Sequence, residues 1–131
     1  MKKYIILLSL IFLYGCETPL NDIVAFSGYW RIICQNNTGT QLPEFSIVIN
    51  DDGTFSNKMK IYPNVDTVFV KGAVDNNGTL VGQFCDSLAT YTTGNFSGTL
   101  TEINGIRYGS GTWIDTVRGA NSRGTWTGKS N

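Results

Sequence analysis

The sequence predicts an all-β domain: a single antiparallel up-and-down meander of about eight strands, closed into a barrel, with an open curled sheet or a β-sandwich as the alternatives. Three observations predict it. After Cys16 no stretch sustains a 3.6-residue apolar period; instead, short runs with every second residue apolar are punctuated by Gly, Asn, Asp, Thr and Ser. The triplets Gly98-Thr99-Leu100, Gly111-Thr112-Trp113 and Gly124-Thr125-Trp126 recur at a thirteen-residue spacing, the length of one strand plus one turn. Connections are short throughout, and closing such a meander hides the strand edges that would otherwise pair with other chains.

The chain begins with something other than this domain. Lys2 and Lys3 precede an apolar run over residues 4–14, broken only by Ser9. A bilayer-spanning helix needs about twenty apolar residues, so this run has the length of a signal-peptide core instead. The run ends in Leu13-Tyr14-Gly15-Cys16, which resembles the lipobox of bacterial lipoproteins at Leu13, Gly15 and Cys16 and departs from it at Tyr14. The resemblance implies cleavage after Gly15, a lipid with palmitate among its chains on Cys16, and residence in the cell envelope at the outer membrane. Two or more acyl chains anchor a protein stably where one holds it only marginally. The expected organisation is a signal peptide over 1–15, a lipidated tether over 16–27 containing Pro19, and a β domain over 28–131.

The strands follow in order. Residues 28–34 place Trp30, Ile32 and Cys34 on one face, and residues 45–50 alternate Phe45, Ile47 and Ile49. Asp51-Asp52-Gly53 turns the chain into a third strand over 54–62, with Phe55, Met59 and Ile61 inward and Lys58 and Lys60 outward. Pro63-Asn64 breaks that run; a fourth strand over 67–74 leads through Asn76-Asn77-Gly78 to a fifth over 79–85. From Asn95 three strands of equal arms are joined at first by Asn104-Gly105, a two-residue type I′ signal. That turn sets a register in which Phe96 faces Trp113 and Gly98 faces Gly111. In each repeat the Gly precedes the large residue by two, hence shares its face, and bare glycine backbone leaves room for neighbouring rings.

Composition narrows the function. Loss of the signal leaves about 116 residues and turns 10 basic against 10 acidic groups into 8 against 10, which gives no electrostatic case for nucleic acid. Histidine is absent, removing the commonest general base and metal ligand. With Cys16 lipidated, Cys34 and Cys85 remain, an even pair that in an oxidising compartment predicts a disulfide. Both lie at the ends of strands that run toward the same rim.

Phe26-Ser27-Gly28-Tyr29-Trp30 resembles the Gly-x-Trp opening of the first strand of lipocalins and of the related fatty-acid-binding and avidin-like barrels. The resemblance implies a lipocalin-like barrel with Trp30 at its closed end. A second lipocalin motif, a C-terminal helix and avidin-type ligand residues are not found, so the likeness speaks for the barrel and not for lipocalin chemistry. The repeated Gly-Thr-Trp strands are also similar to small β domains of secreted bacterial lipoproteins.

Candidate sites are few. Asp51 and Asp52 form an ordinary turn, and Glu44, Glu102 and Asp115 are scattered rather than paired as glycoside hydrolysis requires. No catalytic constellation and no cofactor or metal set is found, so the expectation is a protein that is not an enzyme. Tyr29, Trp30, Phe96, Trp113 and Trp126 are the candidate ligand-binding residues, although large aromatics also fill cores. Arg31 and Arg107 fall out of phase with the apolar face and are expected in solvent. Asp66-Thr67-Val68, Asp86-Ser87-Leu88 and Asp115-Thr116-Val117 resemble the O-glycosylation site of exported Bacteroidota proteins, which would modify Thr67, Ser87 and Thr116. The function expected is a lipid-anchored envelope module that binds an envelope protein or a glycan on its loops, at residues 35–43 or 64–66. The alternative is a lipocalin-like carrier of a small apolar ligand.

Overall fold

Eight strands run alternately up and down in the computed structural model, which describes residues 25–59, 67–116 and 122–131. They are β1 (Gly28–Asn36), β2 (Phe45–Ile49), β3 (Thr54–Met59), β4 (Val68–Val74), β5 (Thr79–Cys85), β6 (Thr92–Ile103), β7 (Ile106–Asp115) and β8 (Arg123–Ser130). The signal peptide, Cys16 and most of the expected tether lie outside the described residues, as do Lys60, Ile61 and Asp66.

The sheet order is β2-β1-β8-β7-β6-β5-β4-β3, every neighbouring pair antiparallel. First and last strands pair, from Trp30↔Ser130 to Asn36↔Gly124, so the chain ends close the ring. The seam falls instead between β2 and β3. Their turn is hydrogen-bonded (Asn50 N to Thr54 O 2.8 Å), after which a side chain replaces the ladder: Asn57 Nδ2 donates to Ser46 O at 2.6 Å. The result is a nearly closed, lipocalin-like up-and-down barrel.

The register set by Asn104-Gly105 holds. Both residues have positive φ, 52° and 77°, as a type I′ turn requires, and Phe96 faces Trp113 while Gly98 faces Gly111. Strict alternation sends Trp30, Ile32, Ile47, Phe55, Val70, Leu80, Phe84, Phe96, Leu100 and Trp126 into one core. Phe96 stands at its middle, 5.2 Å from the Phe84 ring, 5.9 Å from Phe55 and 6.4 Å edge-on from Trp126. The missing side chains make that possible. A Cβ on Gly82 would come within 2.3 Å of the Phe96 ring, and one on Gly111 within 2.6 Å of the Trp126 indole.

Three expectations are corrected. Phe26, read as tether, is a core residue, and Ala25 and Ser27 are bonded to the barrel through their carbonyls. Arg107, expected in solvent, shares the inward phase of Gly109, Gly111 and Trp113 and packs on Trp30; the alternation count failed because its neighbours on that face are glycines. Arg31 is exposed as expected, forked onto Glu44 at 2.7 and 2.6 Å.

The third correction is the disulfide: Cys34 and Cys85 are both buried free thiols. Each is fixed in a ladder, Cys34 opposite Trp126 and Cys85 opposite Phe69 and Thr92, on walls separated by β6, β7 and β8. The register shift at Phe84/Cys85 makes Thr93 the extra residue of β6, so alternation along β5 is unbroken. Cys85 therefore takes the opposite side of the sheet from Phe84, whereas Cys34 lies within the core.

Candidate functional site

Of the five aromatic residues nominated from sequence, Phe96 and Trp113 line a hollow together, whereas Tyr29, Trp30 and Trp126 line neither of the two larger ones. Tyr29 lies on the outer face, 44% exposed, while Trp30, Phe96, Trp113 and Trp126 are buried. The three indole N–H groups are all taken by backbone carbonyls. Trp30 donates to Phe26 O (2.8 Å), Trp126 to Ser97 O (3.0 Å), and Trp113 is shared between Gln35 O (3.1 Å) and Thr125 O (3.2 Å). A buried donor already satisfied has nothing left to orient a ligand. These rings hold the barrel together.

The end near the tether is closed by one cation. Arg107 donates through Nη1 to Ala25 O (2.9 Å) and Ser27 O (2.7 Å), and through Nη2 to Ser130 Oγ (2.6 Å). Its Cζ stands 5.8 Å from the Trp30 ring centroid. Ser130 passes the link on by donating to Tyr29 O at 2.9 Å. The N-terminal approach, the last strand and the floor tryptophan are thus one unit.

The opposite rim carries Thr67, Asp86-Ser87 and Asp115-Thr116, since β4 starts there and β5 and β7 end there. Thr67 and Ser87 are half-buried and Thr116 is exposed, but the Thr116 hydroxyl donates to Thr93 O at 2.8 Å. Asp86 is occupied by its own turn, accepting from Thr90 N (2.6 Å), Tyr91 N (2.9 Å) and the Thr90 hydroxyl. These bonds hold its carboxyl below the ordinary aspartate range, the hydroxyl contributing most. Asp52 caps its turn in the same way through Thr54. The 35–43 loop is likewise largely self-satisfied: Asn36 Oδ1 accepts from Thr38 N, Thr38 Oγ1 and Thr40 N, and Leu42 is buried. Residues 64–66 lie outside the described residues.

Open space lies on the outer wall. The inward residues Phe55, Gly72, Gly82, Phe96, Trp113 and Gly124 form one unbroken row across β3 to β8, each the register partner of the next. Seen from outside, that row is a floor of bare backbone. One flanking row is Thr54, Ala73, Val81, Ser97, Thr112 and Thr125; the other is Lys71, Gln83, Asn95, Ile114 and Arg123, again partner to partner. Between these rows sit two hollows, of about 730 Å³ over β3–β6 and about 420 Å³ over β6–β8. Both are lined by Asn95, Phe96 and Ser97, so they adjoin along β6. The row crosses six of the eight strands of the ring, so the two hollows face different sides of the barrel. A smaller hollow of about 380 Å³ lies beside Arg31, Tyr108 and Lys129.

Sequence reasoning missed these flanking residues because it followed the apolar face. The signal was nevertheless present: each lies one position from a Gly or aromatic residue of the predicted inward row. Comparison with family models, with curated proteins and with solved structures finds no match to this chain.

Proposed function

We propose that this chain is a lipid-anchored module of the bacterial cell envelope whose barrel binds a partner on its outside rather than carrying a ligand within. Residues 13–16 support the anchor, because a basic start, a short apolar run and Gly-Cys together form an address for lipidation. The observation that carries the binding mode is the spent interior. Phe96 fills the middle of the barrel against Phe55, Phe84 and Trp126, and every indole N–H is bonded to the chain's own backbone, while the hollows open between outward rows.

The test uses the full chain exported with its own leader in a bacterial host. It should sediment with membranes, and its N-terminal peptide should carry acyl chains on Cys16; the Cys16→Ser variant should carry none. Native mass spectrometry of detergent-released protein, followed by the same sample denatured, checks the second half. A bare barrel is expected. Mass that departs only on denaturation would reveal an enclosed small ligand and overturn the outside-binding reading.

A further inference from the structure

The rim that the chain before β1 joins is polarised. Here β6 ends and β7 starts at a hairpin tip whose Ile103 and Ile106, opposite one another in the ladder, are 60% and 43% exposed. Tyr108 on β7 and Tyr29 on β1 are exposed close by, and Lys129 on β8 stands between Tyr108 and Arg31 in the ladder. Lys129 has no ion-pair partner among the described residues, whereas Arg31 is committed to Glu44. The acid next to the tip, Glu102, lies opposite Arg107. These four strands, β6, β7, β8 and β1, are consecutive in the ring. The other four close the same rim with two turns, which carry Asp51, Asp52 and Asp75. One half of the rim is therefore apolar and aromatic, the other acidic. Exposed Leu88 and Tyr91 lie at the far rim, away from the tether.

We infer that the apolar half of this rim docks the barrel on a phospholipid bilayer. Ile103 and Ile106 enter the boundary between headgroups and acyl chains, the two tyrosines sit among the headgroups, and the acidic turns tilt into water. The inference rests on the reading that Cys16 carries the lipid. Arg107, next to Ile106, holds the carbonyls of Ala25 and Ser27, so the segment from Cys16 arrives beside the hairpin tip. The nine residues from Cys16 to Ala25 reach at most about 30 Å at full extension. Within that reach docking is intramolecular, and a contact too weak to hold a free protein becomes populated. Tyr108 stands two residues, about 7 Å, along the strand from Ile106, which is within the depth of about 5–10 Å that interfacial contacts reach. Tyrosine is amphipathic and settles at the bilayer interface, while a lysine lays its stem along apolar surface and turns its ammonium to lipid phosphates. Aspartates are repelled by an anionic leaflet, which selects the tilt. A bilayer meets the end of a barrel as a plane, so side chains from four adjacent strands share it.

The test uses the full chain, exported with its own leader and reconstituted in vesicles of phosphatidylethanolamine and phosphatidylglycerol. A nitroxide is attached through Ile103→Cys in one sample and through Asn76→Cys in another; Cys34 and Cys85 are buried and stay unlabelled. Collision with dissolved oxygen, relative to collision with a water-soluble nickel chelate, reads the immersion of each label. The label at position 103 should favour oxygen, and that at position 76, on an acidic turn, should favour nickel. Ile106→Asp should lower the docked-to-undocked ratio at position 103 by about tenfold. Tyr108→Ser should act in the same direction; both residues are exposed, so neither change touches the core. A water-exposed label at position 103 on vesicle-bound protein, equal immersion of the two labels, or a label that both variants leave immersed would each overturn the inference. So would a dimer in detergent that Ile106→Asp dissociates, which would assign the apolar rim to a second copy. Protein that lacks acyl chains and stays in solution would instead remove the premise, so the two failures are distinguishable.

Discussion

The guanidinium of Arg107 lies 5.8 Å from the centre of the Trp30 ring, and its three hydrogen bonds run to Ala25, Ser27 and Ser130. One side chain on β7 thus ties the segment before β1 to the end of β8. Replacement by Met keeps the stem and strands the two carbonyls. The Arg107→Met variant should lose about 2–4 kcal/mol of unfolding free energy in urea, and cleavage by trypsin-free proteases should begin near residues 25–27. Lys should restore only part, having a point charge where the fork is needed. An unchanged urea midpoint would show that the cap is ornamental.

Gly82 and Phe96 form a second coupled pair. Adding a methyl at Gly82 places it 2.3 Å from the ring, and overpacking of this kind costs about 1–3 kcal/mol. That outweighs the gain of about 0.5–1 kcal/mol that Ala otherwise brings to a strand. Gly82→Ala should therefore destabilise, and should cost less in a Phe96→Leu background. A double-mutant cycle measures this; additive losses would mean the ring and the glycine are independent.

Burial pushes the Cys34 thiol up to about 12. At neutral pH it holds almost no thiolate, the reactive form. Iodoacetamide should leave Cys34 untouched in the folded protein and label it in urea. The intact exported protein should retain both thiols; a mass lower by two hydrogens, mapped to Cys34 and Cys85, would contradict the ladder positions described above.

Acid should weaken the turns. Glu44 is held below the ordinary carboxylate range by its hydrogen bond from Arg31, Asp86 by Thr90 and Tyr91, and Asp52 by Thr54. A carboxyl whose folded value lies below its unfolded one adds stability above the unfolded value, about pH 4, and loses it as pH falls through the folded value. The urea midpoint should be flat from about pH 7 to 5 and decline below about pH 4. Asp86→Asn should make that decline shallower, and an identical slope would exclude Asp86 as a contributor.

Local structure was legible in the chain's own pattern. Period-two alternation located all eight strands, and Asn104-Gly105 set the β6–β7 register because its two positive φ values admit one pairing only. Strand ends were less legible where a distant partner strand extends the ladder past the alternating run, as β8 does at Gln35 and Asn36, or where a bulge at Thr93 interrupts it.

Which distant residues meet is a property of the assembled barrel. Arg107 reads as a surface residue until β1, β7 and β8 come together around Trp30, and two cysteines at one rim read as a bond until the ladders that hold them are known. The seam between β2 and β3 depends on β1 choosing β8, a pairing between strands with most of the chain between them. The outer row is the same kind of property. Lys71 and Arg123 belong to it because four successive registers link their positions, and register accumulates across a sheet in a way that no local pattern records.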